Sequence, residues 1–360
     1  MKKILLSTIF LAVSFSGWSQ LVIDNTETPG QLIQNTFMGN NLTISNVKFN
    51  GSTASAQAIR DQAARFSNGS AGLGAEQGLI LSTGKAIVAI GPNNSASATN
   101  TTATPFTGDA DLALIAAQAV KNVCIVEFDF IPNNNGVFFE YIFASEEYPE
   151  FAGSSFNDTF GLFLSGPGIS GTFTDGAINI ATIPNTAAPV TINNLNNGTT
   201  NSGPCNACAY YVNNGNGSTP TVNTQVQFDG LSTQFTASGA VIPGETYHIK
   251  FAIANIGDNA YESAMFLTAG SFRSANLLGT ANFTTGKVKM YPNPATDFIR
   301  INAADNISEV TVYDLQGRSL MQVPVNGDME INTQSLSAGT YIVEFVLANK
   351  ERSTQKLVIK

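Results

Sequence analysis

Acidic side chains crowd two short stretches, and each stretch joins a pair of apolar runs. In F-A-S-E-E-Y-P-E-F-A-G-S-S-F-N-D, Glu146, Glu147 and Glu150 lie between Val137–Phe143 and Phe156–Leu164, and Asp158 lies on the second run. In N-I-G-D-N-A-Y-E-S-A-M-F, Asp258 and Glu262 lie between Ile249–Ile256 and Met265–Leu267. Adjacent carboxylates repel unless water or a cation neutralises them. The plainest reading is a solvated acidic turn. A second reading gathers Glu146, Glu147, Asp158, Asp258 and Glu262 around a structural Ca2+ ion, because calcium selects oxygen ligands and no soft ligand is nearby. A third takes two of Glu146, Glu147, Glu150 and Asp158 as the carboxylate pair of a glycan hydrolase.

Other reactive side chains are few. The one histidine, His248, alternates with the apolar set Tyr247, Ile249, Phe251 and Ile253, which puts it with Lys250 on the opposite, exposed face of a strand. A Ser-His-Asp triad needs a serine and an acid beside it, and no nucleophile-elbow motif supplies one. Of three cysteines, Cys124 alternates in phase with Val126, Phe128 and Phe130 and reads as a core residue. Cys205 and Cys208, in C-N-A-C, lack the strand-to-helix setting of a redox motif and the second ligand pair of a zinc site, so a loop-closing disulfide is favoured. A carbohydrate-binding face would align Tyr148, Phe151, Tyr210 and Tyr211 on the surface.

The elements that must carry these residues are mostly strands. Period-two alternation marks strands at Leu42–Phe49, Gly78–Gly84, Val123–Ile131, Val137–Phe143, Phe156–Leu164, Val222–Phe228, Ser232–Ala237 and Thr246–Ile253, with short ones at Ile178–Ile183 and Val190–Ile192. Pro132 and Asn133–Gly136 turn one strand into the next, and Pro149 and Gly153 end the strands around the acidic loop, so Val137–Phe143 and Phe156–Leu164 read as a pair lying side by side. Two helices are expected. One spans Ala54–Phe66, capped by Ser55, with Ile59, Ala63 and Phe66 on one face. The other starts at Asp109 or Asp111, with Leu112, Ile115 and Ala119 inward.

The chain has 360 residues, ample for two domains with a core, and 12% charged against 43% hydrophobic residues, which suits strands joined by polar loops. Seventeen basic against 26 acidic residues argue against binding a phosphate backbone. Met1–Ser19 has Lys2 and Lys3, the apolar run Ile4–Phe15 and small residues before Gln20. That is a secretory signal peptide cleaved between Ser19 and Gln20, too short to span a membrane. The expected organisation is therefore a leader at 1–19, a large domain at 20–275, a small polar linker at 276–289 and a C-terminal domain at 290–360. The fold class is mainly β: a large jelly-roll-like sandwich with two edge helices, then a small Ig-like sandwich.

Two resemblances sharpen this. The run Phe143–Gly161, with G-L-I-L-S-T-G (Gly78–Gly84), D-A-D-L (Asp109–Leu112), V-E-F-D-F-I-P (Val126–Pro132), Y-H-I-K (Tyr247–Lys250), A-I-A-N-I-G-D and E-S-A-M-F-L, resembles the choice-of-anchor L domain of secreted bacterial surface proteins. The resemblance implies surface location and no shared reaction. Relatives often carry a cysteine where Gly244 stands, which leaves the Cys205–Cys208 pairing open, and often Asp where Glu262 stands. Tyr291-Pro292-Asn293-Pro294, V-T-V-Y-D-L-Q-G-R (Val310–Arg318), L-S-A-G-T-Y-I-V (Leu336–Val343) and the terminal K-L-V-I-K resemble the type A sorting domain of the type IX secretion system. That implies a Bacteroidota outer membrane, partnership with the secretion machinery, and attachment to a surface glycolipid after the tail is removed. The resulting expectation is a non-enzymatic secreted protein that binds a glycan or a protein, the alternative being a glycan-active hydrolase.

Overall fold

The computed structural model describes residues 20–52, 61–100, 108–217, 225–277, 288–303, 307–314, 318–324, 329–347 and 352–360. The leader through Ser19, the first half of the expected Ala54–Phe66 helix and most of the linker lie outside them. The chain divides into two compact units between Leu277 and Leu278.

Among the described residues the first unit has fourteen strands. In chain order they are β1 (Val22–Asp24), β2 (Leu42–Phe49), β3 (Ala63–Ser67), β4 (Gln77–Ser82), β5 (Val120–Pro132), β6 (Gly136–Ser145) and β7 (Thr159–Ser165). There follow β8 (Ile178–Asn179), β9 (Tyr211–Asn213), β10 (Gly230–Ser232), β11 (Phe235–Ala240), β12 (Tyr247–Ile256), β13 (Ser263–Thr268) and β14 (Arg273–Ala275). One sheet runs β1-β3-β4-β13-β6-β10-β9, with β11 and β14 also on β6; the other runs β2-β5-β12-β7-β8. All these pairings are antiparallel, so the unit is a sandwich of two facing sheets.

Its core explains the alternation. Phe128, Phe130, Phe160, Leu162, Ile249 and Phe251 of one sheet meet Phe139, Tyr141, Phe143, Met265 and Leu267 of the other, all fully buried. Phe139 touches Phe251 and Tyr141 touches Phe160, at centroid distances of 5.3 and 5.2 Å. Phe272, on the turn before β14, sits edge-on to Phe128 and Phe130 at 5.2 Å each. Both outer faces are partly covered as well. Ile80, Ile142, Ala144, Phe228 and Phe266 form a second cluster behind the larger sheet. Leu112 and Ala116 of the Ala110–Ala116 helix cover Val123, Ile125, Ala252 and Ala254 behind the smaller one. Strands buried on both faces read as near-continuous apolar runs, which is what β6 and β13 show.

Three sequence expectations need correction. β6 and β7 are not neighbours: they belong to different sheets, and so do β5 and β6. Alternation shows which side chains face a core, and two strands facing each other across a sandwich give the same pattern as two strands paired in one sheet. The Ala54–Phe66 helix fails over its described part, because Ala63–Ser67 is a strand paired with both β1 and β4. The Asp109 helix does form, with the Asp109 carboxylate accepting from Leu112 N at 2.8 Å, but Ala117 turns left-handed (φ 53°) and ends it before Ala119. That helix covers a sheet face rather than an edge. A π-helical turn at Leu32–Phe37 went unread; it feeds Phe37 into the core.

The second unit has β15 (Val288–Tyr291), β16 (Phe298–Ala303), β17 (Ile307–Tyr313), β18 (Ser319–Pro324), β19 (Met329–Asn332), β20 (Gly339–Leu347) and β21 (Arg352–Ile359). Sheets β15-β16-β19 and β18-β17-β20-β21 enclose Ile299, Val310, Val312, Val343, Phe345 and Leu357.

Candidate functional site

The acidic loop leaves β6 in one sheet and enters β7 in the other, so it closes one end of the sandwich. It is not a solvated turn. Glu146, Glu147, Asp158, Glu262 and, from the segment before β10, Asp229 are all wholly buried; Glu150 is exposed. The expected five-residue metal set does not assemble as one cluster. Among the described residues, no three His, Cys, Asp or Glu side chains close around a single point.

Instead the carboxylates divide. Glu146 Oε1 accepts from Gln227 Nε2 at 3.3 Å and Oε2 from Ala98 N at 3.2 Å. Burial, then the nearby Asp229 carboxylate, push its pKa up to about 9. Asp229 Oδ1 accepts from Asn93 Nδ2 at 2.6 Å, and burial raises its pKa to about 7. Glu262 is held by Thr83 Oγ1 at 2.8 Å and Asn100 N at 3.1 Å, and its carboxyl fills the space where a Gly84 side chain would stand. Glu147 and Asp158 form the other group. Asp158 Oδ1 accepts from Ile256 N at 2.8 Å, and its Oδ2 lies 2.6 Å from Ser263 Oγ. Burial pushes both acids well above the ordinary carboxylate range; the Asp158 and Asp258 carboxylates add to the rise at Glu147, and Asp258 and Glu262 add to that at Asp158. No Lys, Arg or His pairs with Glu146, Glu147, Asp158 or Asp229 among the described residues.

Asp229 was missed in the sequence, where it stood as a lone acid in Q-F-D-G with nothing to flag it. The signal present was Gly230, whose neighbour space is filled by the Tyr148 ring.

The proposed aromatic face does not exist. Tyr148 is a core residue whose hydroxyl donates to Leu195 O at 2.6 Å. Tyr211 packs on Tyr148 at 4.9 Å and Tyr210 on Phe235 at 5.6 Å. Phe151 packs edge-on against Phe156 and Tyr261 at 5.2 and 5.0 Å. These rings are consumed by the fold.

His248 and Lys250 do lie away from the core, but half-buried and fully engaged. His248 Nδ1 is 2.8 Å from Asp129 Oδ1 and Nε2 is 3.6 Å from Glu127 Oε2; Glu127 is the main cause of its raised pKa. Lys250 Nζ bridges Asp109 and Asp111 at 2.7 and 2.6 Å. Ser165 sits directly across β12 from His248. Both imidazole nitrogens face carboxylates, so neither is free to act as its base. Elsewhere Cys205 and Cys208 are disulfide-bonded, with Cα atoms 5.2 Å apart, and Cys124 is a buried thiol.

In the second unit the Tyr291–Pro294 motif is pinned to the last strand. Asn293 Nδ2 donates to Lys356 O at 2.6 Å and Asn293 Oδ1 accepts from Val358 N at 2.9 Å. Ala295 N and Lys360 N continue the attachment through Val358 O and Ala295 O.

A large sandwich with a sealed acidic end, followed by a small sandwich built on that motif, defines a two-unit antiparallel β protein. The chain belongs to the Choice-of-anchor L domain family, whose model matches residues 21–273, and a Secretion system C-terminal sorting domain matches residues 289–360. The tail is that of the type IX system, so the protein is secreted across the outer membrane to the cell surface or beyond. A curated relative, beta-agarase D of Zobellia galactanivorans, is 40% identical over 75 residues, 21% of this chain; the chain spans only 15% of that enzyme's length. Among solved structures, the adhesin domain of Epf from Streptococcus pyogenes is 8% identical, with 66% of this chain and 76% of that one covered and a TM-score of 0.17. Dimeric latent PorU from Porphyromonas gingivalis is 15% identical over 73% of this chain and 20% of that one, also with a TM-score of 0.17. Likeness this low carries no argument. Among the described residues, no helix is long and apolar enough to cross a membrane.

Proposed function

We propose that the large domain acts at the cell surface by binding a partner protein rather than by catalysis. The supporting observation is that its clustered carboxylates are enclosed. A glycosidase needs two carboxyl groups facing an open cleft with substrate between them, whereas Glu146, Glu147 and Asp158 have no exposed surface. An open cleft of about 440 Å3, by contrast, is lined by Leu114, Ile115, Phe173, Ile178 and Pro189 and, among the described residues, by no ionisable side chain. Leu114, 57% exposed at its rim, suits contact with an apolar side chain of a partner.

Beads coated with the whole chain should capture a surface protein of the producing cells or of what they grow on. Leu114→Glu should lower that capture at least tenfold. Release of reducing sugar from a polysaccharide panel, abolished by Glu146→Gln, would replace this reading with the hydrolase.

A further inference from the structure

We propose that Glu147 and Asp158, together with the side-chain oxygen of Asn255, bind one calcium ion at the closed end of the sandwich. Three observations converge there. Glu147 is wholly buried, yet among the described residues neither of its carboxylate oxygens has a hydrogen-bond partner. Asn255 is also wholly buried and its Oδ1 has no partner, while its Nδ2 is fixed by donating to Ala260 O at 3.2 Å. The third is register. The β12–β7 ladder ends on the pair Ala254 with Thr159, so the next step sets Asn255 across from Asp158, and Ile256 N already reaches Asp158 Oδ1 at 2.8 Å.

Buried polar atoms are ordinarily satisfied, so each orphan calls for an explanation. Here three orphaned oxygens on two side chains border a carboxylate on the facing strand. With no basic side chain paired to them, such acids have two ways to be neutral: each keeps a proton, or a cation replaces the protons. Two carboxylates and a neutral amide oxygen form a hard, all-oxygen set, which calcium accepts in irregular geometry and completes with water or backbone carbonyls. Magnesium, needing a near-ideal octahedron, suits such a set less well. The ion would tie the end of β6 to β7 and β12, across both sheets. This inference does not depend on the binding reading, since the ion is structural whatever the partner.

The test is calorimetric titration of the chelator-treated whole chain with calcium chloride at pH 7. One site per chain should appear. Glu147→Gln and Asp158→Asn should each weaken binding at least a hundredfold. Glu147→Gln should nevertheless melt at or above the wild-type temperature in chelator, because an amide replaces a buried acid; this keeps loss of binding separate from loss of fold. Failure to bind at about 10 mM calcium, well above the range of weak extracellular sites, would overturn the proposal. So would binding that both variants leave unchanged.

Discussion

Glu146 shows how a single buried acid sets the pH response. Its folded pKa stands near 9 because burial and Asp229 oppose its charge, while in the unfolded chain it returns to the ordinary value near 4.3. Its contribution is therefore complete below that unfolded value and is lost as pH rises toward 9, because the unfolded chain gives up a proton that the fold retains. Each such group costs about 1.4 kcal/mol per pH unit inside its window. Glu147 and Asp158 act in the same direction, and so do Asp229 up to about pH 7 and His248, whose raised pKa means its stabilisation fades as the proton leaves. The acids with lowered pKa, Glu127 and Asp129 among them, work below about pH 4 and do not offset this. In chelator the melting midpoint should thus fall between pH 5 and pH 8, and Glu146→Gln should reduce the slope. A midpoint that is flat or rising over that range contradicts the placement of these acids. Cys124 gives a second residue-scale expectation. Buried, its thiol held protonated, and left as the free thiol of the chain, it should resist alkylation in the fold and accept one label per chain after unfolding without reductant, read by mass spectrometry. Two or three labels would contradict the Cys205–Cys208 bond.

Among the elements, the turn carrying Phe272 has an importance its sequence hides. One ring there contacts Phe37 of the π-helical turn and Phe128, Phe130, Phe139 and Phe251 from both sheets. Phe272→Ala should cost about 3–5 kcal/mol, the usual range for a phenylalanine removed from a packed core; denaturant unfolding showing less than about 1 kcal/mol would mean that the rings repack around the gap. Much at this scale was legible in the sequence. Tyr247, Ile249, Phe251 and Ile253 face the core as their spacing implies, and the Asp109 cap starts its helix. What stayed hidden was partnership. Ile59, Ala63 and Phe66 fit one face of a helix by spacing, but pairing of the Ala63–Ser67 strand with β1 and β4 on both sides overrides it. The acidic loop looked solvated because acids are rarely buried. Burial there follows from β6 and β7 lying in opposite sheets, which alternation does not encode, and the exposed aromatics failed for the same reason, since closing the sandwich end draws Tyr148 inward.

For the whole molecule, the account rests on a division of labour: residues 21–273 form the surface domain and residues 289–360 deliver it. The two units have separate hydrophobic cores, so the large one should fold without the tail. The most direct measurement is fractionation of cells that possess a type IX system, expressing either the whole chain or the chain without residues 289–360. The whole chain should appear on the surface or in the medium. The shortened chain should accumulate in the periplasm, folded and resistant to protease. Finding the shortened chain outside the cell at the level of the whole chain would contradict the account.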